Sequence, residues 1–219
     1  MRMPEKTRMI RYYEDLYNKY GYDYRSLDWK DPAGQKARYA AIFDIVEMTG
    51  GPKNFSIADI GSGLGHFYGY LKEQGFLKKF NIDYSGYDIN PKLVDAARKK
   101  HPETKFELKD ILEGYSTQKF DYIISCGVFN IRLTDEAEHL EFVKEMMLRM
   151  YENCKIGTAV DFLSINGLPY VAGKEQGSVY YYFKPEEIIG HVRSISSKYI
   201  LRHDYHPGDF TVYMLKERK

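Results

Sequence analysis

The segment Ile57-Ala58-Asp59-Ile60-Gly61-Ser62-Gly63-Leu64-Gly65-His66-Phe67 is an apolar, strand-like run that ends on a carboxylate, passes through three alternating glycines and enters a helix-like stretch. Alternate glycines remove the Cβ atoms where the chain must turn, so a flat or extended ligand can lie against bare peptide at the carboxyl end of a strand. Dinucleotide loops space their glycines G-x-G-x-x-G to seat a pyrophosphate on a helix N-terminus. Here the spacing is G-x-G-x-G and His66 stands where that third glycine belongs, so a pyrophosphate is the less natural ligand.

Two more acids follow at the intervals of a βαβ unit. Tyr84-Ser85-Gly86-Tyr87-Asp88-Ile89-Asn90-Pro91 reads as a second strand ending on Asp88, with the proline opening a helix through Leu93, Val94, Ala96 and Ala97. Asp88 is either a ligand-binding acid or a cap of that helix, and Asn90 is the better cap. Lys105 to Leu112 is a short alternating strand carrying Asp110, which is either a ligand acid or a loop aspartate. Phe120 to Asn130 reads as a central strand with the loop that leaves it, Cys126-Gly127-Val128-Phe129-Asn130.

The run Asp59-Ile60-Gly61-Ser62-Gly63-Leu64-Gly65, with Asp88 and Asp110 downstream, resembles the first motifs of class I S-adenosylmethionine (SAM)-dependent methyltransferases. The resemblance implies that Gly61, Ser62, Gly63 and Gly65 pass under the amino-acid part of SAM, with Asp59 orienting the loop or accepting from the ligand's ammonium. It implies that Asp88, next to Ile89, accepts both ribose hydroxyls, a task suited to an acceptor-only carboxylate. It further implies that Asp110 takes the exocyclic amine of adenine with Ile111 against the ring, and that the loop holding Cys126 borders cofactor and substrate. Methyl transfer would leave S-adenosylhomocysteine, and no metal is expected. The patterns Cys126–Asn130, Arg202–Tyr205 and Asp209–Tyr213 are similar to small microbial methyltransferases of mostly unassigned substrate.

The elements that must position these groups alternate. A tyrosine-rich helix from about Glu5 to Tyr20 precedes a turn-rich bridge and a second helix, Gln35 to Met48, stopped by Thr49-Gly50-Gly51-Pro52. After the three strands come a helix from about Thr134 to Asn153, a strand from Gly157 to Ser164, a helix from about Pro185, and strands Tyr199–Tyr205 and Phe210–Leu215 joined by a hairpin turn. This order predicts an α/β fold, a doubly wound, mostly parallel seven-stranded sheet with one antiparallel strand, as in Rossmann-like methyltransferases. Residues 53–219 form that core within a single domain, and residues 1–52 a helical extension or lid. Tyr12, Tyr13, Tyr17, Tyr20, Tyr22 and Tyr24 supply apolar faces with polar tips for the lid, or simply pack on the core. Tyr13 is counted with the cofactor site. Arg38 either grips the SAM carboxylate with two parallel hydrogen bonds or is solvated.

Methyl transfer is an in-line displacement that gains most from holding nucleophile and methyl together. An aliphatic hydroxyl or protonated amine also needs a base. Of six histidines, His203 is the first candidate because Asp204, Tyr205 and Asp209 lie close, although strand alternation turns Asp204 away. His66, beside the glycine loop, is the second. His139 and His191 sit on helices, His206 flanks the hairpin, and His101, after a lysine pair, reads as solvated. Asn130 orients a substrate carbonyl or hydroxyl, or satisfies a loop amide.

The chain has 219 residues, 43% of them apolar, enough for one substantial core. Its net charge of +1 offers no bulk field for a polyanion. Cys126 and Cys154 have no metal-ligand or disulfide-scaffold spacing, no apolar stretch follows the N-terminal charges as in a secretory signal, and no run approaches the ~20 apolar residues of a membrane span. A cytoplasmic protein is expected. The Asp/Asn-Pro-Pro-aromatic signature of DNA amino-methylation and the Cys-Pro pair of cytosine C5 methylation are absent after the central strand, and Asp135 with Glu136 is thin support for metal-assisted catechol chemistry. The expected activity is methylation of a small molecule at O or N. The alternatives are an RNA or protein methyltransferase, a nicotinamide-dependent oxidoreductase and a non-catalytic SAM-binding module.

Overall fold

Strands β1 (Asn54–Ile60), β2 (Asn81–Asp88), β3 (Lys105–Leu108), β4 (Phe120–Ser125), β5 (Cys154–Leu163), β6 (Lys198–Arg202) and β7 (Asp209–Leu215) form one sheet in the order β3-β2-β1-β4-β5-β7-β6 in the computed structural model, which describes residues 1–113, 119–171 and 179–217. β7 runs antiparallel to both neighbours, and every other pairing is parallel. The expected sheet, with its single antiparallel strand, is therefore present. Strand order reverses at β1, which lies between β2 and β4, and such a switch point opens a crevice at the carboxyl ends of the strands. The register Asp59↔Gly86 and Ile60↔Tyr87 brings the ends of β1 and β2 side by side there.

Period-two alternation divides the core. On β1, Phe55 and Ile57 enter one apolar cluster, whereas Ala58 and Ile60 enter the other. The helices are α1 (Met3–Tyr20), α2 (Pro32–Met48), α3 (His66–Glu73), α4 (Phe76–Lys79), α5 (Pro91–Lys100), α6 (Glu136–Asn153) and α7 (Pro185–Ile195). Apolar side chains of α2, α3 and α5 join the first cluster, and those of α6, α7 and Met9 of α1 join the second. Fully burying one such Phe or Ile stabilises by roughly 1.5–3 kcal/mol. α2 buries Ile42, Phe43, Ile45 and Val46 against the sheet, so it forms part of a helical layer, while α1 and the 3₁₀ turn Tyr24–Leu27 lie over the crevice.

Caps fix where the helices begin. Asp31 accepts from the Gly34 amide at 2.7 Å before α2, Asn90 from the Lys92 amide at 3.0 Å before α5, and Asp135 from the Glu138 amide at 2.8 Å before α6. The Asp135 cap delays α6 to Glu136, two residues beyond the start that periodicity gives. β6 ends at Arg202, so His203, Asp204 and Tyr205 belong to the connection to β7 and strand alternation does not govern them. His101 departs from expectation. It is 5% exposed, its Nε2 lies 3.0 Å from the Tyr22 hydroxyl, and burial lowers its pKa.

Candidate active site

The glycine loop leaves β1 with positive φ at Gly61 (74°), Gly63 (52°) and Gly65 (76°), where a side chain costs roughly 1–2 kcal/mol. Space is also denied: a Cβ on Gly61 would overlap Val128, in the loop after β4, and one on Gly65 would sit 2.7 Å from the Phe106 ring. The Gly61 and Ser62 amides donate to the Tyr87 carbonyl at 2.8 and 3.0 Å, and the Gly63 amide donates to Asp88 Oδ2 at 2.8 Å. Backbone of β1's exit loop is thereby fastened to the end of β2.

Asp88 is half-buried, and its Oδ1 accepts the Asn90 amide at 2.8 Å. Burial raises its pKa, opposed by the bonds from backbone amides. Asn90, besides capping α5, donates from Nδ2 to the Ile10 carbonyl at 3.2 Å, which ties α1 to the site. Asp59 is 2% exposed and accepts the Tyr84 hydroxyl at 2.5 Å, and burial pushes its carboxyl up to about 7 against the lowering effect of that bond. Asp110 accepts the Leu112 amide at 2.8 Å and pairs with Lys6 of α1, which also reaches Glu113.

These groups border one cleft of about 1060 Å³ of free space, part of it open to solvent. Its lining contains Asp59, Gly61, Ser62, Gly63, Asp88, Ile89, Asp110, Ile111, Cys126 and Tyr13, and the cover consists of Met1, Met9, Ile10, Leu27 and Trp29. Gly65 stands behind the loop as the N-cap of α3. A charged nucleoside with an amino-acid tail fits this donor set: acids at three places along the cleft, a loop with alternate glycines, and a mostly apolar cover that includes Trp29.

Arg38 does not line this cleft. Its Nη2 lies 2.6 Å from Asp209 Oδ2, its guanidinium sits 4.8 Å from the Trp29 ring centre, and it borders a second cavity of about 1090 Å³ of free space, again including open solvent. The two cavities share Tyr13, Leu27, Trp29 and Gly127. Asn130 borders the second, where its Oδ1 accepts the Leu163 amide at 3.1 Å, leaving its NH₂ as the uncommitted donor. Asp28, the one non-glycine among the described residues with positive φ (60°), also faces this cavity and accepts the Tyr12 and Tyr180 hydroxyls, each at 2.6 Å.

Neither His203 nor His66 borders either cavity. His203 packs beside the Phe210 ring, with centroids 5.8 Å apart. His66 meets Tyr22 edge-on at 4.6 Å and lies 3.3 Å from Gln35 Nε2, and burial depresses its pKa to about 4. The histidine that does border the second cavity is His206, whose Nδ1 contacts Asp209. Its signal in the sequence was the spacing His206-Pro207-Gly208-Asp209, a turn that returns position i+3 to position i. Among the described residues no group of three or more His, Cys, Asp or Glu side chains gathers as a metal ion needs, and no helix is long and apolar enough to cross a membrane.

Comparison with known proteins agrees with this geometry. Residues 57–150 match the family model described as a methyltransferase domain. Over 167 residues the chain is 28% identical to the Mycobacterium tuberculosis protein named "Putative methyltransferase Rv1506c", spanning 74% of this chain and 93% of that one. The fold is similar to that of magnesium protoporphyrin IX methyltransferase from Synechocystis with bound S-adenosylhomocysteine, at TM-score 0.67 and 16% identity over 97% of this chain and 100% of that one. It is also similar to the N-methyltransferase NodS from Bradyrhizobium japonicum in complex with S-adenosylhomocysteine, at TM-score 0.61 and 13% identity over 94% and 98% of the chains. Residues 57–150 thus carry the match to a methyltransferase domain, and the chain as a whole is similar in sequence to a putative methyltransferase and in fold to S-adenosylmethionine-dependent methyltransferases.

Proposed function

We propose that this enzyme transfers the methyl group of SAM to an oxygen or nitrogen of a small molecule held in the second cavity. The observation that carries this reading is the contiguity of two cavities, which meet at Tyr13, Leu27, Trp29 and Gly127. One carries the glycine loop and the acids, and the other carries aromatic and polar side chains.

In this reading Asp88, fixed by the Gly63 and Asn90 amides, retains lone pairs for the ribose hydroxyls. Asp110 serves the adenine amine with Ile111 on the ring. Asp59 and the loop Gly61, Ser62, Gly63 and Gly65 hold the amino-acid end, and Ile89, Cys126 and Tyr13 complete the walls. SAM supplies an electrophilic methyl on a sulfonium, so the protein's main task is alignment and exclusion of water. Met1, Met9, Ile10, Tyr13 and Trp29 cover the cleft for that purpose. The Asn130 amide orients an oxygen of the acceptor.

The names of two structural neighbours concern magnesium protoporphyrin IX and N-methylation, both compatible with a small acceptor. Incubating the protein with methyl-labelled SAM and a fractionated cell extract tests the reading. Label in a small-molecule fraction is the expected result, and label confined to RNA or protein would refute it.

A further inference from the structure

We propose that Asp28 is a specificity-determining residue of the acceptor site and that the acceptor is a cationic amine, its ammonium held on the Asp28 carboxylate between aromatic walls. This deepens the reading of the second cavity as the acceptor site and rests on it.

Three segments converge on this side chain. Asp28 closes the 3₁₀ turn Tyr24–Leu27 with φ 60° and ψ 27°, Tyr12 reaches it from α1, and Tyr180 reaches it from the stretch ahead of α7. Both hydroxyls donate to Oδ2, at 2.6 Å each, and no hydrogen bond to Oδ1 is found among the described residues. Burial and the adjacent carboxylate raise the pKa of both phenols, so they remain neutral donors. The carboxylate thus has two hydrogen bonds and, among the described residues, no ion-pair partner.

The cations of the cavity do not fill that place. Arg38 is paired with the buried Asp209 at 2.6 Å, and His206 contacts the same carboxylate. Lys30 is exposed to solvent and forms no ion pair with Asp28. Asp31, the other acid of the lining, caps α2. A half-buried carboxylate satisfied only by neutral donors attracts a positive charge, and an anionic acceptor would meet it with repulsion. Tyr13, Trp29, Tyr180 and Tyr182 line the same cavity, and ring faces within about 6 Å of an ammonium add to its hold. The ligand chemistry that uses both features is an amine with at least one N–H, which donates to Oδ1 while its charge faces the rings.

Asp28 borders the second cavity alone, whereas the two cavities meet at Tyr13, Leu27, Trp29 and Gly127. A methyl group delivered at that junction reaches an atom other than the one held by Asp28. The acceptor therefore carries two groups: the anchoring amine and, nearer the junction, the oxygen or nitrogen that is methylated.

The test uses Asp28→Asn, which keeps an oxygen for the tyrosine hydroxyls, tolerates the left-handed backbone and removes the charge. Trp29 is the one tryptophan of the chain, so its fluorescence reports on the cavity. In the S-adenosylhomocysteine complex, benzylammonium should change that fluorescence saturably, and benzyl alcohol should bind at least about tenfold more weakly. Asp28→Asn should weaken benzylammonium by roughly 10–100-fold, with S-adenosylhomocysteine affinity within about threefold because Asp28 does not border the cofactor cleft. Tyr12→Phe removes one tie and keeps the carboxylate, so its affinity for benzylammonium should stay within about threefold of wild type. No saturable response to benzylammonium, equal affinity for the alcohol, an unaltered affinity in Asp28→Asn, or equal losses in Asp28→Asn and Tyr12→Phe overturns the proposal. Transfer supplies an independent arm. With methyl-labelled SAM and cell extract, the acceptor should be retained on a cation-exchange resin at neutral pH, lost on acetylation of its amines and kept after reductive methylation, which preserves the charge. Label in neutral or anionic small molecules overturns this proposal and leaves the reading of the acceptor site standing, whereas label confined to RNA or protein defeats that reading.

Discussion

The carboxylate of Asp88 and the amide of Gly63 are joined at 2.8 Å, so the acid that ends β2 clamps the glycine loop that ends β1. Its other oxygen holds the Asn90 amide at 2.8 Å. One side chain thus both shapes the loop and presents lone pairs to the cleft. Asp88→Ala should weaken S-adenosylhomocysteine binding by about 10–100-fold, since hydrogen bonds to charged groups contribute roughly 1.5–3 kcal/mol. Calorimetric titration checks this, and an unchanged Kd would remove Asp88 from the site.

Gly61 combines a φ of 74° with a Cβ direction filled by Val128. Gly61→Ala should lower Tm by several degrees, from roughly 1–3 kcal/mol of strain and overlap. Adding Val128→Ala should restore part of the loss, because it relieves the overlap and leaves the backbone strain. Thermal melts of the single and double variants decide the matter, and equal Tm values for Gly61→Ala and wild type would contradict it.

Asp59, pushed up to about 7 by burial, gives a pH prediction. Between an ordinary aspartate pKa near 4 and about 7, the folded protein keeps a proton that the unfolded chain has released. Stability from this group therefore falls as pH rises through that window and levels off above it, with a slope of up to roughly 1.4 kcal/mol per pH unit. Asp161, also raised to about 7, contributes in the same direction. Asp59→Asn keeps an acceptor for Tyr84 and cannot ionise, so its Tm relative to wild type should improve from pH 5 to pH 8. A difference independent of pH would refute the buried-acid assignment.

Arg38 belongs to the floor of the second cavity, and its removal would leave Asp209 without its guanidinium in a fully buried position. Arg38→Ala should destabilise by about 3–5 kcal/mol while S-adenosylhomocysteine affinity stays within about threefold at a temperature where the variant is folded. Chemical denaturation and calorimetry together test this. A large loss of affinity without loss of stability would return Arg38 to the cofactor.

The gathering of the glycine loop with Asp59, Asp88 and Asp110 around the first cavity was legible because the acids lie in or just after short strands and glycines mark the turn, both local signals. What escaped the sequence depends on contacts between distant segments. His101 reads as solvated beside Lys99 and Lys100, yet Gly65 and Gly69 of the α3 region leave room for its ring: a Cβ on Gly65 would sit 3.0 Å from it. Arg38 looks like a ligand-gripping arginine from its helix face alone, and the partner that claims it lies on β7, 171 positions away. The His206–Asp209 pair was visible as spacing, but nothing local says that its turn closes against Trp29 and Asn130 around a cavity.

Thermal melting with S-adenosylhomocysteine tests most directly whether the loop Gly61–Gly65 and the acids Asp59, Asp88 and Asp110 form a nucleoside site. At about 100 times Kd the ligand should add roughly 2.7 kcal/mol, or on the order of 5–10 °C for a chain of this size, with NADH producing no shift. An unmoved Tm at saturating S-adenosylhomocysteine, or an equal shift with NADH, would contradict the account.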